Sequence, residues 1–171
     1  MHKTLYYAYT QHAFASFLIT QDEHGVCALL LGSDSNALLK DLQRRFQGYE
    51  LTESFEKNLS AIHAVEDFFA GRRPLELTLS VQGTAFQQRV WQALQRIPLG
   101  STFTYRNIAQ RIGQPSASRA VAGTCANNPI ALAIPCHRVI RQDGALSGYR
   151  WGVEYKQRLL DLEQHYAGRG A

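Results

Sequence analysis

Three adjacent side chains, Cys136, His137 and Arg138, put a thiol, an imidazole and a guanidinium inside an otherwise apolar tract. Residues 131–134 before them and Val139-Ile140 after them are runs that normally make a buried strand. Burying such a polar triplet costs free energy unless it is satisfied or used. Pro135 has no N–H and a fixed φ, so ladder pairing should break just before the thiol. The pattern predicts a buried strand over 131–134 that ends in a rigidly held nucleophilic cysteine. The attacking species would be the thiolate.

The other cysteines, Cys27 and Cys125, have no C-x-x-C relation to it or to each other. That spacing argues against a structural zinc site or a disulfide framework and suits a reducing compartment. His2, His12, His24 and His63 show no ligand spacing and are expected at the surface or on helix faces. Cys27 sits in an apolar strand as a core filler, and Cys125 reads as a small packing residue.

The elements that must position the thiol follow from periodicity. Residues 5–10, 14–20 and 26–31 are rich in β-formers and suggest an antiparallel meander, with a turn at Glu23-His24-Gly25. Helical spacing runs over 35–46 and over 55–70, the second with Phe55, Leu59, Ile62, Val65, Phe68 and Phe69 on one face. Leu75, Leu77 and Leu79 alternate like a short strand. At Val81-Gln82-Gly83 composition and charge both shift, which predicts two domains, 1–81 and 82–171.

In the second half, Thr84 and Gln87 fit a capping box that opens a helix to about Arg96. Thr104 could cap a helix over 105–112, Gly113 suits its C′ position, and Ser116 could cap another to about Ala126. Helix, short turn, helix is a helix-turn-helix pattern. Its second helix carries Ala117, Ser118, Ala120, Ala122, Gly123, Thr124 and Ala126 with one charge, Arg119. Side chains that short cannot reach base edges in a major groove, but they allow close backbone approach to a narrow one. The competing expectation is tight packing on a neighbouring helix with Arg119 in an ion pair. Gln142-Asp143-Gly144 reads as a hairpin-type turn, and a last helix from Val153 carries Glu163 near its end, with a frayed tail at 167–171.

Charge is unevenly spread. Residues 1–81 carry 7 Lys/Arg and 10 Asp/Glu, whereas residues 82–171 carry 11 Lys/Arg, ten of them Arg, and 4 Asp/Glu. A half with net charge +7 made of arginines suits a polyanion, against the alternative of an ordinary solvated basic surface. No apolar stretch approaches the ~20 residues of a membrane span, and the first ten residues have no signal-peptide core.

Ile134-Pro135-Cys136-His137-Arg138-Val139 resembles the active-site motif of the O6-alkylguanine-DNA alkyltransferases, direct-reversal DNA repair proteins. Thr104-Tyr105, Ser118-Arg119-Ala120-Val121, Asn128-Pro129, Ser147-Gly148-Tyr149, and Leu159-Leu160 with Glu163 match that family in order and spacing. Gly148-Tyr149-Arg150-Trp151-Gly152 looks most like the C-terminal domain of the adaptive-response protein Ada.

The resemblance implies an α/β (α+β) protein: a small N-terminal sheet-plus-helix domain, ribonuclease H-like, and a mostly helical C-terminal domain with a helix-turn-helix. It implies a methylated-DNA–protein-cysteine S-methyltransferase that acts once, moving an alkyl group from guanine O6, or thymine O4, to Cys136. His137 would deprotonate Cys136 through a water, and Glu163 would orient His137. Asn128 would brace the pocket, and Tyr105 would donate to guanine N3 and help rotate the target phosphate. Tyr149, Trp151 and backbone groups of Cys136 and Val139 would shape the pocket and read the base.

Arg119 would fill the gap left by the flipped nucleotide, with Tyr105, Arg106 and Gln114 among the DNA contacts. The implied partner is double-stranded DNA with alkylated bases, met in the minor groove without sequence preference. The protein would be a monomer, cytoplasmic and nucleoid-associated on DNA, with no cofactor and no metal. The zinc-binding cysteines of Ada-type regulators have no counterpart in these 171 residues. Ala131 and Arg150-Trp151 depart from some relatives, and Trp151 at the rim predicts a narrow pocket that resists benzylated guanines. The alternatives are a cysteine hydrolase built on Cys136, His137 and Glu163, and a lesion-sensing or regulatory DNA-binding protein without transfer activity.

Overall fold

The computed structural model describes residues 3–146 and 148–169. His2, Ser147, Gly170 and Ala171, to which the sequence assigned a surface histidine, part of a motif and the end of a tail, lie outside the described residues. The chain divides into two compact units: Met1–Val81 with Pro129–Ala131, and Gln82–Asn128 with Leu132–Ala171. It is a mixed α/β structure, and among the described residues no helix is long and apolar enough to cross a membrane.

The first unit is a four-stranded sheet with two helices. Strands β1 (Thr4–Thr10), β2 (Phe17–Gln21) and β3 (Val26–Leu31) form the antiparallel meander that their β-branched and aromatic content predicts. Helix α1 (Ser35–Arg45) is capped by the Asp34 side chain. Strand β4 (Glu50–Glu53) then joins parallel to β1, giving the order β3-β2-β1-β4. Its sequence, Glu-Leu-Thr-Glu, has one apolar residue and is mostly exposed, so no hydrophobic alternation announced it.

Helix α2 (Phe55–Phe69) is capped by Ser54 and buries Ile62, Val65, Phe68 and Phe69. Phe55 and Leu59, expected on that face, are exposed at 53% and 37%, because the first turns overhang the core. The expected strand at Leu75, Leu77 and Leu79 does not form; only Leu79 makes a single bridge, to Val26. A second bridge, Leu29 to Ile130, lies farther along β3, so that edge strand is partly covered.

The second unit is mostly helical. Helix α3 (Ala85–Gln95) opens on the Thr84/Gln87 capping box and buries Val90, Trp91 and Leu94. Strand β5 (Phe103–Thr104) leads into α4 (Tyr105–Arg111), whose Thr104/Asn107 pair makes a second reciprocal cap. Gly113 turns the chain at φ +77°, and α5 (Ser118–Ala126) follows. Ser116 does not cap α5: its N-cap is Ala117, which has no side-chain acceptor. After β6 (Val139–Ile140), Gln142-Asp143-Gly144 turns as expected, but β6 pairs with β5 rather than with a returning strand. Helix α6 (Val153–Arg169) runs through Ala167, so Glu163 lies within its body and the fraying expected from Ala167 onward is not seen there.

Candidate active site

The segment carrying the thiol differs from the predicted strand. Ala131, Leu132 and Ala133 form a turn in which Leu132 adopts φ +72°, a left-handed conformation that costs a branched residue about 1–2 kcal/mol. Cys136–Arg138 is then one turn of 3-10 helix, and only Val139–Ile140 is extended. Pro135 explains the break, since it cannot donate to a ladder. The consequence is geometric. Successive residues of a strand face opposite ways, whereas about three residues per turn set neighbours roughly 120° apart, so both can turn inward. Cys136 and His137 are both buried, at 3% and 0% exposure. The two-residue parallel pairing of Phe103–Thr104 with Val139–Ile140 holds the start of α4 beside this turn.

Glu163 organises the polar groups. Its Oε2 lies 2.9 Å from His137 Nε2, and Arg138 donates to both oxygens, Nε to Oε1 at 2.7 Å and Nη2 to Oε2 at 2.8 Å. Arg138 Nη1 also donates to the Ile97 carbonyl at 2.7 Å. Burial would push the Glu163 carboxyl up, but the bonds and charges of His137 and Arg138 win and hold it at about 2. A carboxylate can only accept, so His137 Nε2 carries the proton and Nδ1 keeps its lone pair. That buried Nδ1 has no hydrogen-bond partner among the described residues. Burial pushes the imidazole below its ordinary range, and Glu163 only partly opposes this. His137 therefore rests as a neutral base.

Asn128, fully buried, donates from Nδ2 to the Ile134 carbonyl at 2.7 Å and to Cys136 Sγ at 3.1 Å. Burial raises the thiol to about 11, while the Asn128 bond and the charges of Lys156 and Arg150 pull the other way. Lys156 is itself 0% exposed, its Nζ donating to the Val139 carbonyl at 2.6 Å, and burial lowers its pKa. The resting sulfur is thus a protonated thiol set among groups that favour its anion.

The thiol opens on a cavity of about 390 Å³ lined by Tyr105, Ala122, Cys125, Ala126, Cys136, Gly148, Tyr149 and Arg150. The small residues of α5 supply one wall. Tyr149 supplies another, and burial holds its phenol well above the ordinary value. Val139 and Trp151 do not line the cavity. The Val139 side chain is buried, and Trp151 packs behind Tyr149 with ring centroids 5.3 Å apart. Arg150 takes the rim instead, bonded to the Asn128 carbonyl and lying over the Trp151 ring. Away from the cavity, Arg106 and Arg119 are exposed and Gln114 is half-buried in the α4–α5 turn. Arg119 makes no ion pair among the described residues, and a Cβ on Gly123 would meet nothing within 4 Å, so this face of α5 is open rather than packed.

Three participants carried no assignment from the sequence: Arg138 as the second partner of Glu163, the buried Lys156 whose charge favours the thiolate, and Arg150 in the wall. Arg138 sits in the motif and Arg150 beside Tyr149, so adjacency was a signal for both. Lys156 lies three residues into a helix of ordinary amphipathic pattern and carried none. Among the described residues, no group of three or more His, Cys, Asp or Glu could hold a metal ion.

Residues 85–165 match a family model described as the DNA binding domain of 6-O-methylguanine DNA methyltransferase. The chain is 44% identical over 160 residues to the bifunctional transcriptional activator/DNA repair enzyme Ada of Escherichia coli, covering 92% of this chain and 45% of that protein. It therefore spans less than half the length of that relative. It is 37% identical to the methylated-DNA–protein-cysteine methyltransferase of Methanosarcina acetivorans, covering 93% of this chain and 98% of that one. A crystal structure of Mycobacterium tuberculosis OGT in complex with DNA superposes with a TM-score of 0.79 at 33% identity, covering 94% of each chain.

Proposed function

Since the chain belongs to the methylated-DNA–protein-cysteine methyltransferase family, we propose that it repairs DNA by direct reversal, moving one alkyl group from guanine O6, or thymine O4, to Cys136. The observation that carries this is the buried Cys136 thiol, bonded by Asn128 at 3.1 Å, in the wall of a cavity of about 390 Å³. His137 Nδ1 takes the thiol proton through a water, and Glu163 stabilises the imidazolium that forms. The sulfur attacks the alkyl carbon in line. The S–C bond forms as the C–O6 bond breaks, and the electron pair passes to the guanine, which Tyr105 protonates at N3. The anion exists only during this step, where Asn128, Lys156 and Arg150 favour it. The product is a thioether, which no thiol exchange reverses, so each chain acts once.

Reaching O6 requires the nucleotide to leave the duplex. We read α4, its turn and α5 as a helix-turn-helix that meets the minor groove. Arg119 would enter the base stack, and Tyr105, Arg106 and Gln114 would contact the DNA. Arg119, exposed and without an ion pair among the described residues, and the open face at Gly123 support this reading. The order β3-β2-β1-β4, with β4 parallel to β1, supports a ribonuclease H-like assignment of the first unit. Work on DNA in this way suits a monomer in the cytoplasm and nucleoid.

The test is intact-mass analysis after incubation with duplex containing O6-methylguanine. The expected result is one methyl per chain, on the peptide containing Cys136, and none in Cys136→Ala. Uptake by the mutant would refute the site, and catalytic turnover would favour a hydrolase.

A further inference from the structure

Outside the active site, a second concavity of about 320 Å³ is lined by Arg89, Gln92, Ala93, Arg96, Arg111 and Ile112. It holds three guanidinium groups and no carboxylate, and none of the three makes an ion pair among the described residues. Arg89, Gln92, Ala93 and Arg96 recur on one face of α3, opposite the buried Val90, Trp91 and Leu94. That exposed stripe offers hydrogen-bond donors without any negative charge. Arg111, the last residue of α4, is held over the Phe103 ring, its guanidinium carbon 4.4 Å from the centroid. A stacked guanidinium keeps its donor edges free while its orientation is set.

Helix C-termini attract cations, which would account for Arg96 and Arg111 but not for Arg89 in the middle of α3 or for the missing acids. Three like charges brought to one hollow repel one another until an anion enters. None of Tyr105, Arg106, Gln114 or Arg119 lines it.

We propose that this concavity binds a backbone phosphate of DNA, a contact separate from the α5 face. The proposal rests on the reading that the protein acts on DNA. A phosphate contact of this kind carries no sequence information; it adds affinity and sets the position of the duplex. Guanidinium forks meeting phosphate oxygens two at a time suit the chemistry.

Two measurements test it. In the first, binding of an undamaged duplex is followed by fluorescence anisotropy across a range of NaCl concentrations. The triple variant Arg89→Gln, Arg96→Gln, Arg111→Gln is expected to bind more weakly, with the slope of log K against log [salt] smaller by about 0.9 for each phosphate lost. Its methyl uptake from the free nucleoside O6-methylguanosine should be unchanged, and Arg141→Gln should leave the slope alone. An unchanged slope in a folded triple variant overturns the proposal. In the second, the Nε–Hε NMR signals of the wild-type protein are titrated with inorganic phosphate. Shifts confined to Arg89, Arg96 and Arg111 are expected, and their absence overturns the proposal whether or not the variant folds. Methylation of Cys136, read by mass, reports separately on the functional reading beneath it.

Discussion

Glu163 is a single carboxylate with two cationic or protonated partners, His137 and Arg138, all within 2.9 Å. Replacing it by glutamine keeps the shape but lets an amide N–H meet a donor. Glu163→Gln should therefore lower the methyl-transfer rate at least tenfold and, by breaking a buried ion pair, cost about 3–5 kcal/mol in urea unfolding. A variant with normal rate would remove Glu163 from the relay. The resting thiol is raised to about 11 by burial. Alkylation of Cys136 by iodoacetamide should then climb close to tenfold per pH unit up to at least pH 9, without a plateau near neutrality. Arg150 rather than Trp151 stands in the cavity wall. Inactivation by O6-benzylguanine should be slow in the wild-type protein and at least tenfold faster in Arg150→Ala; rapid wild-type inactivation at low micromolar inhibitor would contradict a narrow pocket.

At the scale of elements, the short parallel pairing of β5 with β6 and the cap of α4 act together. Thr104 is at once the last residue of β5 and the N-cap of α4, accepting from the Asn107 N–H at 3.0 Å. Thr104→Ala should lose about 1 kcal/mol of stability by urea denaturation. Because Tyr105 follows directly, the rate on duplex substrate should fall more than the rate on free nucleoside; equal losses would mean the cap serves only stability. The 3-10 turn at Cys136–Arg138 was not legible because an apolar run with one proline reads as a strand by periodicity. The turn before it holds Leu132 at a positive φ, and nothing in the sequence marks Leu132 for that.

At the scale of the whole molecule, two buried groups make stability depend on pH in the same direction. Glu163 is lowered from an ordinary 4.5 to about 2, so its contribution is complete above about pH 5 and is lost as the pH falls towards 2. His137 is lowered from 6.5, so below that pH the unfolded chain takes a proton that the fold refuses. Stability should therefore begin to fall below about pH 6.5 and fall further below pH 5. Glu163→Gln should flatten the lower part of that curve. A thermal midpoint independent of pH between 3 and 6 would contradict both assignments. The charge contrast between residues 1–81 and 82–171 belongs to this scale too, since association with a polyanion depends on the summed field.

Helices α1 to α6, the meander of β1 to β3 and the identity of most polar groups around Cys136 were legible before any fold was known. The elements rest on local signals, apolar periodicity and capping residues, whereas Asn128 and Glu163 were marked only by the resemblance to a known family. Tertiary structure alone decided the rest. Strand β4 exists because β1 offers it an edge, not because its own residues favour a strand. Lys156 is buried because α6 packs that face inward, and a lysine at such a position looks like any solvated one. Trp151 yields the cavity wall to Arg150 because Tyr149 gives its ring a partner. Arg138 turns to Glu163 because a 3-10 turn, rather than a strand, carries it. For β4, Lys156 and Arg138 the deciding contact joins residues distant in the chain, and local patterning holds no record of such pairs.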